Sequence, residues 1–426
     1  MQKFAIIGMG CAGYHGVKSL REHGYEGEIH VFSDVSHPTA NPMLTTYYVA
    51  GKIPRERMFP FGSLEEFTRE FDVQVHADTK VLRVDTGSRC VVLEDGTREA
   101  FDKILIATGA RAVSPALGQG GAGRTFLMRT VSDADQLKTM LEQNRVSSAV
   151  VVGASMVGIK VVELLYNRNV KVTMVDMASR LFPLACMQET AEILEQDLKD
   201  RGIDLLFRTG VDHVEETGEE VKTFLTDGTC LTSDILVLCI GTRANVELVA
   251  NTQVIESEPV KVNRGIVVNT RMETNVPGIY AAGDCCEGTN LQTGETMIIG
   301  LWANAAVQGS CAGANMAGCV EEFPGSLPNN ITHYFDKDFI GIGDPDLPGE
   351  RNIFTNSHGM VSVIHEKDQL KCVNILGNYR ISGMVKEYFV HRITGQGEDL
   401  TIADAGLLRA SGVPEDFIVL LGGYHD

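Results

Sequence analysis

The apolar run KFAIIG opens the chain and breaks at GMGCAG; YHGVKSLREHG then predicts a helix and EIHVFSD a second strand. The same order returns downstream, where SSAVVVGASMVGIKVVELLYNRNVKVTMVD reads as strand, glycine loop, helix and strand. Two more apolar runs, DKILIATGA and NVPGIYAAGDCCEG, predict buried strands that stop abruptly at Thr108-Gly109 and Gly283-Asp284. Ends of this kind, with small residues and one carboxylate, suit a polyol chain passing close to the backbone. Toward the C-terminus, HYFDKDFIGIGD and LKCVNILGNYRISGM predict two or three strands, and TIADAGLLRASG a helix. No apolar run approaches the ~18–20 residues that a membrane helix requires.

The first loop places Gly8, Gly10 and Gly13 in G-x-G-x-x-G spacing, with Cys11 and Ala12 between them. In a strand–loop–helix unit this spacing fits a dinucleotide. One glycine makes the tight turn, the next lets the backbone approach a pyrophosphate, and the third packs helix on strand. The helix N-terminus offers unpaired N–H groups to the phosphates. An acid about 20 residues further on holds the ribose hydroxyls. Ser33 occupies the first position for it, and Asp34 is the carboxylate beside it. The second loop is Gly153-x-Ser155-x-x-Gly158, enclosing Met156 and Val157, with a serine where the middle glycine would stand. Asp176 at the tip of the next strand accepts from a ribose 2′-hydroxyl and repels a 2′-phosphate, which favours NADH over NADPH; Arg180 is the nearby group that would pair a phosphate.

At 426 residues the chain has room for two or three domains. Its formal charge of −19 disfavours nucleic acid and anionic membranes as partners. The N-terminus has one Lys and no cleavage pattern, so a cytoplasmic protein is expected. Ten cysteines occur without a CxxC pair and eleven histidines without ligand spacing, so no metal site is expected. Cys11 stands at a helix N-terminus, which should lower a thiol pKa, but a pyrophosphate would cover it. Cys285 and Cys286 are adjacent and are expected to pack rather than react.

Five pieces in order, GMGCAG, ILIATGA, VVVGASMVG, VLCIGTRAN and NVPGIYAAGDCCEG, resemble the FAD-dependent pyridine nucleotide–disulfide oxidoreductase superfamily over residues 4 to about 310. The resemblance implies FAD on the first unit, at Gly8, Gly10, Cys11, Ala12, Gly13, Asp34, Ala107, Thr108, Gly109 and Asp284. It implies NAD(H) as cosubstrate on the second, at Gly153, Ser155, Met156, Val157, Gly158, Asp176 and Gly241. LWANAAVQGS would bring Trp302 and a helix N-terminus to the pyrimidine end of the flavin, where the helix dipole favours negative charge on the reduced ring. The implied fold is α/β, with two Rossmann-like dinucleotide-binding domains of three-layer ββα build and a small C-terminal α/β domain. The FAD-binding domain would take residues 1–112 and 246–325, the NAD-binding domain 113–245, and a C-terminal interface domain 326–426. Two positions depart from the family: Ala244 stands in place of proline, and Lys160 in place of a glutamate on the NAD helix.

The segment ANPMLTTYYVAGK, residues 40–52, should lie against the flavin. It has no cysteine, and none occurs between Cys11 and Cys90. Disulfide reductases of the superfamily carry C-x4-C there, and NADH peroxidases and coenzyme A disulfide reductases a single cysteine. The segment is similar instead to that of rubredoxin and ferredoxin reductases and the nitrite reductase flavin domain. A thiolate relay is therefore not expected. The flavin itself would pass electrons to an external acceptor, an iron–sulfur protein or subunit. No side-chain acid or base is strictly required, since hydride transfer needs orientation and exclusion of water. Three readings follow: a free-standing NADH-dependent reductase of a small iron–sulfur carrier, an electron-transfer subunit of a larger complex such as a 2-oxoacid dehydrogenase, and an NADH oxidase. A homodimer or hetero-oligomer fits each.

Overall fold

Apolar runs too short for helices become parallel strands buried on both faces. In the computed structural model, which describes residues 2–115, 123–143, 145–250, 259–356, 359–367, 369–377, 379–395 and 399–422, Lys3–Ile7 is the centre of the first sheet. Glu28–Phe32 and then Gln74–His76 pair on one side, and Lys103–Ile106 and then Ile279–Ala281 on the other, all parallel. Two helices, Cys11–Glu22 and Trp302–Ala317, cover one face. They touch at backbone distance: a Cβ on Gly309 would collide with the carbonyl oxygen of Ala12, and one on Gly313 with that of Gly16. This contact carries the N-terminus of the second helix to the first glycine loop. The other face is covered by the antiparallel meander Val81–Asp85, Cys90–Leu93 and Arg98–Ala100, whose Val84 and Val91 pack on Ile104 and Ile106.

The build repeats around Ser148–Val152, the centre of a second parallel sheet. Its order is Asp204–Phe207, Lys171–Asp176, Ser148–Val152, Ile235–Leu238, Thr125–Leu127. Helices Met156–Tyr166 and Gln188–Asp200 lie on one face. The meander Val211–Glu216, Val221–Leu225, Cys230–Ser233 lies on the other. The chain passes between the units along Ala110–Ala112 and returns along Thr242–Ala244, and these two strands pair antiparallel. The fold is thus α/β, with two Rossmann-like units of three layers each.

The C-terminal unit is a five-stranded antiparallel sheet, ordered Asn329–Tyr334, Lys337–Gly343, Gln369–Leu376, Gly359–Glu366, Glu350–Asn356. One face packs Tyr334 and Phe339 on Phe182 and Ala185 of the second unit; the other lies under helices Ser382–Thr394, Ile402–Ala410 and Glu415–Leu420. The sequence predicts only two or three of these strands. Gly359–Glu366 is buried on both faces and shows no alternation, while Glu350–Asn356 is a polar edge strand. Among the described residues no helix is long and apolar enough to cross a membrane.

Candidate functional site

Both glycine loops are built by the same backbone constraint. Gly8 and Gly153 have φ of +104° and +114°, and a Cβ on either would collide with the carbonyl oxygen of a neighbouring strand end, Ala107 or Cys239. Gly13 and Gly158 in turn lie against the carbonyl oxygens of Gly8 and Gly153. The middle positions differ. A Cβ on Gly10 would meet no protein atom within 4 Å, and no side chain caps the helix that starts there. Open space in front of uncapped N–H groups is what a pyrophosphate requires. Ser155 fills the equivalent place: its Oγ accepts from Gly158 N at 3.1 Å and donates to the Cys239 carbonyl at 3.0 Å. Met156 and Val157 open that second helix, and Gly241, with φ +98° and open space around it, faces it from the neighbouring strand end.

Register settles which residues occupy equivalent places after each second strand. Gly8 N donates to Phe32 O and Gly153 N to Val175 O, each at 2.8 Å. Ser33 is therefore the counterpart of Asp176. Ser33 is buried, whereas Asp34 lies one residue further out and is exposed. The Asp176 carboxylate accepts from Ala154 N at 2.5 Å and Ala178 N at 2.7 Å, which anchors it beside the second loop. Arg180 is occupied by the carbonyls of Pro183 and Cys186 and by Asp346.

Asp284 is brought beside the first loop by the strand Ile279–Ala281, which pairs with Lys103–Ile106 and sets Gly283 against Ala12. Arg129 Nη2 donates to its Oδ2 at 2.7 Å, both side chains being largely buried. This arginine, which the sequence reading missed, lies two residues before the helix Val131–Gln143. Gly300 lies beside the same carboxylate, and Trp302, the first residue of its helix, stacks on Phe61 at 5.8 Å between ring centroids. Cys11 donates its thiol to the Trp302 carbonyl. Burial first, and the Asp284 charge second, push this thiol up to about 12, which outweighs the lowering expected of a helix N-terminus. Ala12 is buried against Gly283 and Gly309. Ala107 N donates to Ile7 O, and the Thr108 hydroxyl donates to Asn245 O at 2.7 Å, so this threonine ties the returning strand while Gly109 stays open. Cys285 and Cys286 are buried, and burial raises both thiols.

The cysteine-free segment forms a wall between these parts. Thr39 donates to Met9 O of the first loop, and Asn41 caps the turn Pro42–Leu44 that leads into helix Thr45–Val49. Tyr48 donates to Asp135 at 2.9 Å, and Arg55 pairs with the same carboxylate. Lys52 donates to Glu163 of the second glycine helix at 2.8 Å. Glu163 also pairs with Lys160, so a glutamate one turn along meets the lysine that departs from the family pattern.

A cleft of about 930 Å³ opens over the second loop. Gly153, Asp176 and Gly241 line one side, Ile299 and Leu301 another, and Asp344 of the C-terminal unit closes it. Its size suits a dinucleotide. Among the described residues no group of three or more His, Cys, Asp or Glu side chains is placed to hold a metal ion.

The chain resembles known proteins along most of its length. The NADH-dependent phenylglyoxylate dehydrogenase subunit epsilon of Aromatoleum evansii is 28% identical over 356 residues, 83% of this chain and 82% of that protein. The NADH oxidase of Methanocaldococcus jannaschii is 27% identical over 343 residues, 79% of this chain and 75% of that one. The crystal structure of the covalent putidaredoxin reductase–putidaredoxin complex shares the fold, with a TM-score of 0.84 at 23% identity, covering 99% of this chain and 99% of that chain. The family model for pyridine nucleotide-disulphide oxidoreductases matches residues 2–309, and the chain belongs to that family.

Proposed function

We propose that the chain passes hydride between NADH and FAD, and electrons between FAD and an iron–sulfur protein or subunit outside itself. As a member of this family it is an NAD(P)H oxidoreductase with FAD as cofactor and NAD(H) as cosubstrate. The observation that carries the finer reading is the segment of residues 40–52, which offers no thiol; Thr39 just before it donates to the first loop, and Lys52 at its end to the helix after the second. Bound FAD supplies acceptance of two electrons as hydride and their release one at a time.

The residues present fit these groups. Gly10 and the open helix N-terminus would take the FAD pyrophosphate, with Gly8, Cys11, Ala12 and Gly13 shaping the loop. Asp284, held by Arg129, would take the ribityl chain, with Ala107 to Gly109 alongside. Asp34 or Ser33 would meet the adenosine ribose. Trp302 and its helix N-terminus would face developing negative charge. NADH would lie over Gly153–Gly158 with its ribose on Asp176, whose carboxylate, together with an Arg180 already paired, favours NADH over NADPH. In this reading the FAD-binding domain takes residues 1–112 and 246–325, the NAD-binding domain 113–245 and the C-terminal interface domain 326–426.

The similarity to a protein named as a subunit supports a second reading, the electron-transfer subunit of a larger oxidoreductase. Anaerobic titration with NADH tests the common core. Flavin bands that bleach at about one NADH per FAD, without a long-wavelength thiolate band, are expected; a thiolate band would return the chain to the disulfide reductases. Co-purification with iron–sulfur chains from the native source then selects the subunit reading over the free reductase. Peroxide formed in proportion to NADH consumed would point to oxygen as the acceptor.

A further inference from the structure

Most polar side chains lining the cleft over the second loop already have partners. Ser155 and Asp176 are bound to the loop itself, Asn290 accepts from Gln292 N, Asp344 accepts from Asp346 N, and Asp346 pairs with Arg180. Asn329 differs. It opens the first strand of the C-terminal sheet and lines the cleft, yet its Oδ1 is buried with no donor in reach among the described residues. A buried acceptor left without a partner costs free energy. No hydrogen bond holds this oxygen where it is, and a half-turn about Cβ–Cγ exchanges it with the amide nitrogen. Three residues earlier, Ser326 bridges to Asn290 and accepts from Leu291 N, so Asn329 continues the side of the cleft that carries Ile299 and Leu301, the residue before Trp302. With its ribose on Asp176 and its phosphates over Gly153–Gly158, NADH extends its nicotinamide half along that side. Ile299 and Leu301 can cover the face of a planar ring but offer it no side-chain hydrogen bond. A nicotinamide carboxamide presents one C=O and one NH2 side by side, and an asparagine amide presents the same pair in reverse.

We propose that the Asn329 amide pairs with the carboxamide of the nicotinamide, so that a residue of the C-terminal unit fixes which face of the ring is turned to the flavin. The inference rests on the reading that this cleft holds NADH. An apolar slot alone lets the ring turn over about its bond to ribose, and only one face then presents its hydride to FAD. The in-plane pair removes that freedom, which makes Asn329 a positioning residue. It also gives the buried oxygen a donor when the cosubstrate arrives.

The test compares NADH with reduced 3-acetylpyridine adenine dinucleotide, in which a methyl group replaces the carboxamide NH2. Each is used to reduce bound FAD in anaerobic stopped flow, in the parent, Asn329→Leu and Asn329→Ala proteins. The analogue's intrinsic reactivity is the same in every protein, so the readout is the ratio of the two efficiencies. Asn329→Leu should lower the efficiency of NADH by roughly five- to thirtyfold, two hydrogen bonds being lost, and that of the analogue by roughly fivefold at most, so the ratio falls. Asn329→Ala should lower the ratio likewise and keeps the test open where leucine does not fit. ADP-ribose, which has no nicotinamide, should bind parent and variants equally. An unchanged ratio, or ADP-ribose weakened by the same factor as NADH, in proteins with about one FAD per chain overturns the proposal, because a purely structural role would weaken both reductants alike. A flavin-loaded parent that NADH does not reduce overturns the reading of the cleft and this inference with it, so the parent's own reduction distinguishes the two failures.

Discussion

Replacing Gly10 by alanine separates the space needed for folding from the space needed for a ligand. Gly10 caps its helix at φ −79° and ψ −170°, extended backbone that any residue adopts. A methyl there meets no protein atom within 4 Å. Alanine in place of glycine at a helix N-cap costs about 0.5–1 kcal/mol, and the stiffer unfolded chain offsets it by about 0.4–1 kcal/mol. The apo protein should therefore melt within about 2 °C of the parent. FAD binding should suffer far more. The methyl occupies the point where a pyrophosphate approaches the backbone and would block at least one charge-assisted hydrogen bond, about 1.5–3 kcal/mol. That is roughly a 10- to 150-fold rise in Kd. Thermal melts of both apo proteins, followed by FAD titration read as quenching of flavin fluorescence, measure the two effects separately. Gly13→Ala is the contrast, since its Cβ would collide with the Gly8 carbonyl and must damage the fold itself. An intact Gly10→Ala protein that binds FAD as tightly as the parent would refute the placement of the pyrophosphate.

Asp176→Ala should weaken NADH binding by about tenfold or more and NADPH binding by less, because the carboxylate's preference for a free 2′-hydroxyl goes with it; equal losses in calorimetric titrations would contradict the assignment. Of the ten cysteines, Cys230 and Cys319 are exposed and the other eight buried, so two thiols should react with a disulfide dye in the native protein and the rest only in denaturant. A third rapid thiol would reopen a thiol relay. Asp234 accepts from the backbone and hydroxyl groups of both Ser147 and Ser148; burial raises its carboxyl, yet these bonds prevail and hold it below the usual range. A carboxyl depressed in the folded state stabilises fully above its unfolded pKa of about 3.9 and loses that contribution as the pH falls through its folded value. The parent should thus exceed Asp234→Ala by about 2 kcal/mol at neutral pH and converge with it below about pH 4; urea melts across that range decide it.

What the sequence made legible was local. The strands, the glycine loops and the helices behind them are set by neighbours a few residues apart, and they recur where the apolar runs predict them. Pairings across long separations were not legible. Arg129 meets Asp284 across 155 positions of chain, and Lys52 meets Glu163 across 111, so neither pairing has a local signal. The Thr108 hydroxyl donates to Asn245 O at the crossing of the chain between units, another pairing without a local signal. No local pattern announces the all-buried strand Gly359–Glu366.

The differences between the two glycine loops say most about their ligands. In the second, Ser155 caps the helix and Asp176 binds the loop backbone, so the N–H groups of Gly158 and Ala154 have partners even when no nucleotide is bound. In the first, Gly10 offers no cap, and the register position of Asp176 is taken by the buried Ser33. A self-capped loop loses little when its ligand leaves, which suits a cosubstrate that exchanges at every turnover. An uncapped loop leaves helix N–H groups unpaired whenever it is empty, and each unpaired group costs free energy. It therefore favours a ligand that stays. With FAD on the first loop and NADH on the second, as proposed, the same motif, altered at its middle residue and at one strand tip, would separate a resident cofactor from a transient one, the division of labour that hydride transfer between them requires.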